Sequence, residues 1–167
     1  MRILVANKLG ALGAEIHDRT ELALESLSPS AAAVLSMLHF KSALTTTGLA
    51  DVVGISQPTA VRLIDGLERQ GLITRGVPAG RITPLSLTKA GHARAKRLQA
   101  RRMAALDELP SVLTSGEREE FEEKLDRILA AATTSRPHAR SMCRLCEHDL
   151  CANDHCPVGG RAAEIEK

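Results

Sequence analysis

The sequence holds no Trp, no Tyr and only two Phe, Phe40 and Phe121. Proteins that grip single-stranded nucleic acid stack bases on aromatic platforms, so this chain is poorly equipped for that work. The same shortage argues against a sheet sandwich, whose strands favour aromatic and β-branched residues. Leu and Ala carry the apolar content instead, which suits packed helices. No stretch approaches the ~20 consecutive apolar residues of a membrane span. The opening MRILVANKLG is broken by Asn7 and Lys8. No secretory or membrane segment is expected, and the reading places the chain in the cytoplasm. Cysteine is absent until residue 143, and Asp and Glu are absent from 69 to 106. That second gap contains Arg69, Arg75, Arg81, Lys89, Arg94, Lys96, Arg97, Arg101 and Arg102. A net charge of +2 therefore hides a basic stretch of the kind that faces a polyanion.

What is present reads as helices with one interruption. Leu9, Leu12 and Ile16 recur at helical spacing and predict a first helix over about 6–26. Ser28 and Pro29 are a natural cap and first helical residue for the next, with Val34, Leu35 and Leu38 as its stripe. A Thr in the run from Thr45 to Thr47 caps a short helix that Gly54 stops. Ser56 caps another, which puts Ala60, Leu63, Ile64 and Leu67 on one face and Pro58, Arg62, Asp65 and Arg69 on the other. A short helix, a tight turn and an amphipathic helix are the sequence form of a helix-turn-helix. LITRGVPAGRITPLSLT then alternates at both ends around a Gly- and Pro-rich centre, as a β-hairpin does. Such a hairpin is a wing, with Pro84 confining its strand to an edge or bulge. Thr88 caps a long helix to about Leu109, and Thr114 with Glu117 forms a capping box for a last helix whose stripe is Phe121, Leu125, Ile128 and Leu129.

The segments LSPSAAAVLSML, LADVVGISQPTAVRLIDGLERQGLITR and LSLTKAG resemble the multiple antibiotic resistance regulator (MarR) family of winged-helix repressors. The resemblance covers roughly residues 5–133 and is most specific from Gly54 to Arg75. It implies a mainly α fold with a small β wing, a winged helix-turn-helix flanked by N- and C-terminal dimerisation helices. It also implies a homodimer on a pseudo-palindromic double-stranded operator, released by a small-molecule effector or an oxidant. One departure stands out. Where the family's wing carries an Asp-Arg-Arg-like motif, this chain has Ala79, Gly80 and Arg81, so the Asp that orients the last arginine is missing.

In a helix-turn-helix, the start of the second helix meets base edges in the major groove. That assigns Gln57, Pro58, Thr59 and Arg62 to the bases. Gln suits adenine, Arg suits guanine, and Thr or Pro suits a thymine methyl. Ser56 and the free amides around it suit a phosphate. Arg69 and Arg75 read as phosphate contacts, and Arg81 as a minor-groove contact on the wing. Ser56, Pro58 and Thr59 also simply start a helix well, and the basic residues from Lys89 to Arg102 also fit a solvated outer face.

All four cysteines follow a polar stretch, residues 134–142, read as a linker between a domain at 1–133 and a tail at 143–167. Their pattern is Cys143-x2-Cys146-x4-Cys151-x4-Cys156-Pro157. Reduced thiols in such a cluster favour metal or redox chemistry over a disulfide framework. Four thiolates suit zinc, which is preferred here to an iron–sulfur cluster, and His148 or His155 can replace one of them. A metal-free thiol switch tuned by Arg144, His148 and His155 is the third reading. No nucleophile–base pair or phosphate loop is visible, so no enzyme is expected, and His17, His39 and His92 sit in separate helices. The function expected is a dimeric transcriptional repressor released by a small molecule, a metal or a redox signal. A winged-helix protein-interaction module and a thiol or metal redox protein without DNA binding are the alternatives.

Overall fold

A computed structural model describes residues 2–41, 44–78, 80, 83–151 and 156–167. Arg81 and His155 lie outside the described residues. The element order is α1 (Arg2–Ala23), α2 (Pro29–Phe40), α3 (Thr46–Val53), α4 (Gln57–Arg69), β1 (Ile73–Arg75), β2 (Leu85–Leu87), α5 (Lys89–Asp107), α6 (Ser115–Ala132), α7 (Arg136–Met142) and α8 (Pro157–Ile165). A short 3-10 turn, Leu109–Val112, joins α5 to α6. The chain is mainly α with a small β wing, as the sequence predicts. Among the described residues, no helix is long and apolar enough to cross a membrane.

Local chemistry sets the boundaries. Ser28, Thr45, Ser56, Thr88 and Thr114 each accept a backbone N–H at the start of α2 to α6, the anticipated cap at every one. Each such cap is worth about 1 kcal/mol. Thr114 and Glu117 complete their capping box. Gly54 ends α3 and Gly71 follows α4, both with left-handed φ, of 74° and 69°. A side chain would resist that conformation.

The core surrounds α2, which is buried along almost its whole length from Ala31 to Leu38. Its Leu35 and Met37 are fully buried, with Leu49, Ile64, Leu67 and Leu85 fully buried around them. A helix apolar on all sides must be enclosed, and α3, α5 and β2 pack against it. β1 and β2 pair antiparallel, with Thr74 opposite Ser86, and Leu44 adds an isolated bridge to Leu85.

Three sequence expectations are corrected. The first helix stops at Ala23, because Glu25 and Ser26 turn to left-handed φ of 49° and 70°. The long helix ends at Asp107, and Pro110 sits inside the 3-10 turn. Within the stretch read as a linker, Arg136–Met142 is helical. Ser135 accepts a backbone N–H at its start and Pro137 lies in its first turn, so the Pro initiates a helix there.

Candidate nucleic-acid interface

The helix-turn-helix is α3 and α4 joined across Gly54. The backbone N–H groups of Gly54 and Ile55 both donate to the carbonyl of Ala50, at 2.9 and 3.0 Å. The turn is therefore fixed by α3 itself. α4 buries Ala60, Ile64 and Leu67 and leaves Gln57, Pro58, Thr59 and Arg62 exposed at its leading end. The four residues assigned to bases thus share one solvent-facing turn. Among the described residues, Arg62 makes no ion pair. Ser56 Oγ lies 2.8 Å from Thr59 Oγ1 and accepts the Thr59 N–H at 3.4 Å. Both hydroxyls therefore contribute to the cap. Arg69 donates from Nε to the Asp65 carbonyl at 3.3 Å and keeps its outer face exposed.

Arg75 is differently placed from the reading that gave it to a phosphate. Its guanidinium bridges Asp65, at 2.5 Å, and Glu68. It thereby ties the base of the wing to α4. Asp65 is the one acidic residue near Arg62 on that face, and Arg75 engages it. A phosphate at Arg75 would have to compete with two carboxylates.

The basic stretch of α5 is also largely spent inside the molecule. Arg94, Arg97 and Arg101 converge on the carboxylate of Glu25, and Arg94 also donates to the Glu25 carbonyl at 2.7 Å. Burial pushes the Glu25 carboxyl up, but the hydrogen bond from Arg97 and the three guanidinium charges hold it below its usual range. Arg102 donates to the Leu145 carbonyl at 3.0 Å, and burial lowers its pKa. Sequence reasoning missed this cluster because its members are 69 to 76 residues apart.

Gly91 carries the packing of α5 on the wing. A Cβ there would sit 2.0 Å from the Leu72 carbonyl oxygen. Thr88 completes the joint, donating its hydroxyl to the Gly71 carbonyl at 2.6 Å. The LSLTKAG segment is therefore the clamp that seats the wing against α4 and α5.

A cavity of about 820 Å³ opens between α2, α4 and α5, with Arg62, Arg94 and Arg97 in its wall. A second, of about 350 Å³, is bounded by α2, α7 and α8 and takes in Cys143, Cys146, Cys151, Cys156 and His148. Cys146 is drawn down to about 6 by its contact with Cys143, against burial and with help from the Arg102 charge. The thiol of Cys143 is pushed up by that same contact and by burial. Among the described residues, no three His, Cys, Asp or Glu side chains are arranged as around a metal ion. The expected metal ligands share a cavity and are not closed on a common point.

The apolar faces of the outer helices are only partly covered, although α8 packs against α6. Ile3, Leu4, Val5, Leu9 and Leu22 on α1 are exposed, and α6 buries no residue. Its stripe of Phe121, Leu125, Ile128 and Leu129 reaches solvent, Ile128 to 52%.

Residues 25–81 match the MarR family model. The fold is similar to that of MepR, a transcription regulator of the Staphylococcus aureus multidrug efflux pump MepA. The two share 22% identity over 75% of this chain and 96% of that one, with a TM-score of 0.67. A MarR family protein from Bacillus stearothermophilus is 21% identical over 79% and 95% of the two chains, with a TM-score of 0.71. The Mycobacterium tuberculosis MarR family protein Rv2887 is 25% identical over 74% and 92%, with a TM-score of 0.61. A MepR mutant has been solved bound to an oligodeoxyribonucleotide, and Rv2887 in complex with p-aminosalicylic acid. No curated protein matches the chain significantly in sequence.

Proposed function

We propose, on the family match over residues 25–81 and the shared fold, that this chain is a MarR-family protein and a dimeric, sequence-specific DNA-binding regulator of transcription. The observation that carries this reading is the exposed first turn of α4. It presents Gln57, Pro58, Thr59 and Arg62 together, on a helix whose other face is locked into the core. In this role Gln57 and Arg62 read base edges, Pro58 and Thr59 touch a thymine methyl, and Ser56, Arg69 and the wing's Arg81 hold the DNA backbone or minor groove. Arg75 orients the wing through Asp65 and Glu68 and meets phosphate only secondarily. The dimer forms through α1 and α6, which expose Ile3, Leu4 and Leu22 and the Phe121, Leu125, Ile128 and Leu129 stripe. No enzymatic step is assigned.

Repression, with release by a small molecule, is the regulatory mode we assign. The larger cavity supports it. Arg94 and Arg97 in its wall are engaged by Glu25, which leaves Arg62 as the wall arginine with no ion pair among the described residues and the group that favours an anionic effector. Arg62 belongs both to that wall and to the exposed turn of α4, so an anion that engages it withdraws a base-reading side chain from DNA. The test is fluorescence anisotropy with labelled duplexes over a range of salt. Affinity should depend on sequence and fall steeply as salt rises. Equal, salt-insensitive affinity for every duplex would sink the reading.

A further inference from the structure

We propose that Cys143, Cys146, Cys151 and Cys156 bind a thiophilic metal, with zinc as the expected occupant, and so staple the C-terminal tail to the winged helix. The four thiols are scattered over 14 positions of sequence, yet all of them line one cavity. Folding places them there from different elements. Cys143 closes the end of α7, Cys156 caps the start of α8, and both pack against the small apolar cluster of Ala139, Val158 and Ala162. Cys146 follows in a tight turn, its N–H donating to the Cys143 carbonyl at 3.0 Å.

The surroundings suit anionic sulfur. Gly159 donates its backbone N–H to Cys156 Sγ at 3.2 Å. Lys41 and Arg140 border the cavity, and Arg136 beside them is already paired with Glu166. Arg102 lies beside Cys146, and its buried Nε has no hydrogen-bond partner among the described residues. A centre of four thiolates and one divalent ion carries net negative charge, and these cations offset it. His148 contributes from outside the donor set. Its Nε2 is 3.1 Å from the Cys143 carbonyl and its ring lies 5.1 Å from Phe40. That leaves four sulfurs as the ligands, the closed soft-donor set that zinc takes in structural sites. The four thiols are not gathered on a common point in the structure, and binding an ion requires them to turn toward one another in the cavity they line.

The tail also needs such a staple. Its own buried apolar residues are Ala139, Val158 and Ala162. Units below about 40 residues rarely hold themselves with so little and draw on a metal, disulfides or a partner. Its attachment to the body runs through α8 against α6, α7 against α3 and the cysteine loop. Leu145 packs on the main core, and its carbonyl accepts from Gln99 and Arg102 of α5. α7 packs against α3 of the helix-turn-helix. The metal therefore sits at the joint between the tail and the elements that hold the DNA-reading helix.

The full chain, prepared without oxygen, is assayed for zinc, iron and acid-labile sulfide per chain. Thiol accessibility to an alkylating reagent is measured before and after a chelator, and the stripped chain is titrated with Co²⁺. One zinc per chain, four thiols shielded until chelation and a tetrahedral thiolate–cobalt spectrum are the expected results. Iron with sulfide and visible colour supports the same four-thiolate site with a cluster in it. The double variant Cys146→Ser/Cys156→Ser should weaken metal binding by more than about tenfold, with circular dichroism as the check on folding. A chain that takes up neither metal and exposes all its thiols at once overturns the proposal. So does metal content undiminished in the folded variant, or recovery of the thiols as disulfides after oxygen-free preparation. None of these readouts depends on DNA binding.

Discussion

At the scale of single residues, charge placement separates side chains that face DNA from those that build the protein. Arg62 is exposed on the leading turn of α4, and the carboxylate nearest it on that face is engaged by Arg75. Arg62→Ala should cost about 1–3 kcal/mol at one operator base pair and relax specificity there. Arg69→Ala should weaken all duplexes alike and flatten the salt dependence. Competition binding against a panel of single-base operator variants distinguishes the two patterns. A second residue-scale effect comes from His39 and His92, whose Nδ1 atoms lie 3.1 Å apart. That contact needs one ring to be neutral. Burial, with the charges of His92 and Lys96, holds His39 below its ordinary value of 6.5. A histidine depressed on folding contributes stability that is present above about 6.5 and lost as pH falls through the folded value. The melting temperature should therefore drop between neutral pH and pH 5, and His92→Gln should flatten that slope. An unchanged slope in the variant would contradict the assignment. The sequence places these histidines on separate helices, and nothing local in it shows that residues 53 apart will touch.

At the scale of elements, the caps were legible because each depends on residues within one turn. Ser28, Thr45, Ser56, Thr88 and the Thr114–Glu117 box all sit where their spacing predicts. The helix-turn-helix followed from the same local signals, together with the apolar spacing of Ala60, Ile64 and Leu67. What misled were long-range partners. α1 ends early because Glu25 is drawn to three arginines of α5, a contact that no window of α1 contains. Pro137 looked like a linker residue and instead begins α7, whose docking surface lies on α3 and α8. Two glycines test the packing of these elements in opposite directions. Gly91→Ala forces a Cβ against the Leu72 carbonyl and should destabilise the chain by about 1–3 kcal/mol. Gly66→Ala, in the middle of α4 with nothing within 4 Å of the added carbon, should stabilise it by about 1 kcal/mol. Urea unfolding of both variants reads the two signs directly. A neutral Gly91→Ala would mean that α5 does not press on the Leu72 backbone at the foot of the wing as described.

At the scale of the whole molecule, the exposed apolar residues of α1 and α6 carry the claim of a dimer, and the spacing of two α4 helices in it carries the claim of operator binding. The sequence shows the α6 stripe but not what covers it, since Phe121, Leu125, Ile128 and Leu129 look the same whether they face a core or a second chain. Ile128→Asp/Leu129→Asp should give a folded monomer by sedimentation. That monomer should bind DNA far more weakly than the parent, because only one half-site is read at a time. The central claim is sequence-specific recognition by this dimer. It is tested most directly by selecting binding sites from randomised duplex DNA with the full chain, then measuring affinity for the winning sequence and for a scrambled one. The account predicts a twofold-symmetric site with half-sites about one helical turn apart. It also predicts a preference over the scrambled duplex of roughly 10³-fold or more. A selection that enriches no site, with equal affinity for both duplexes, would contradict it.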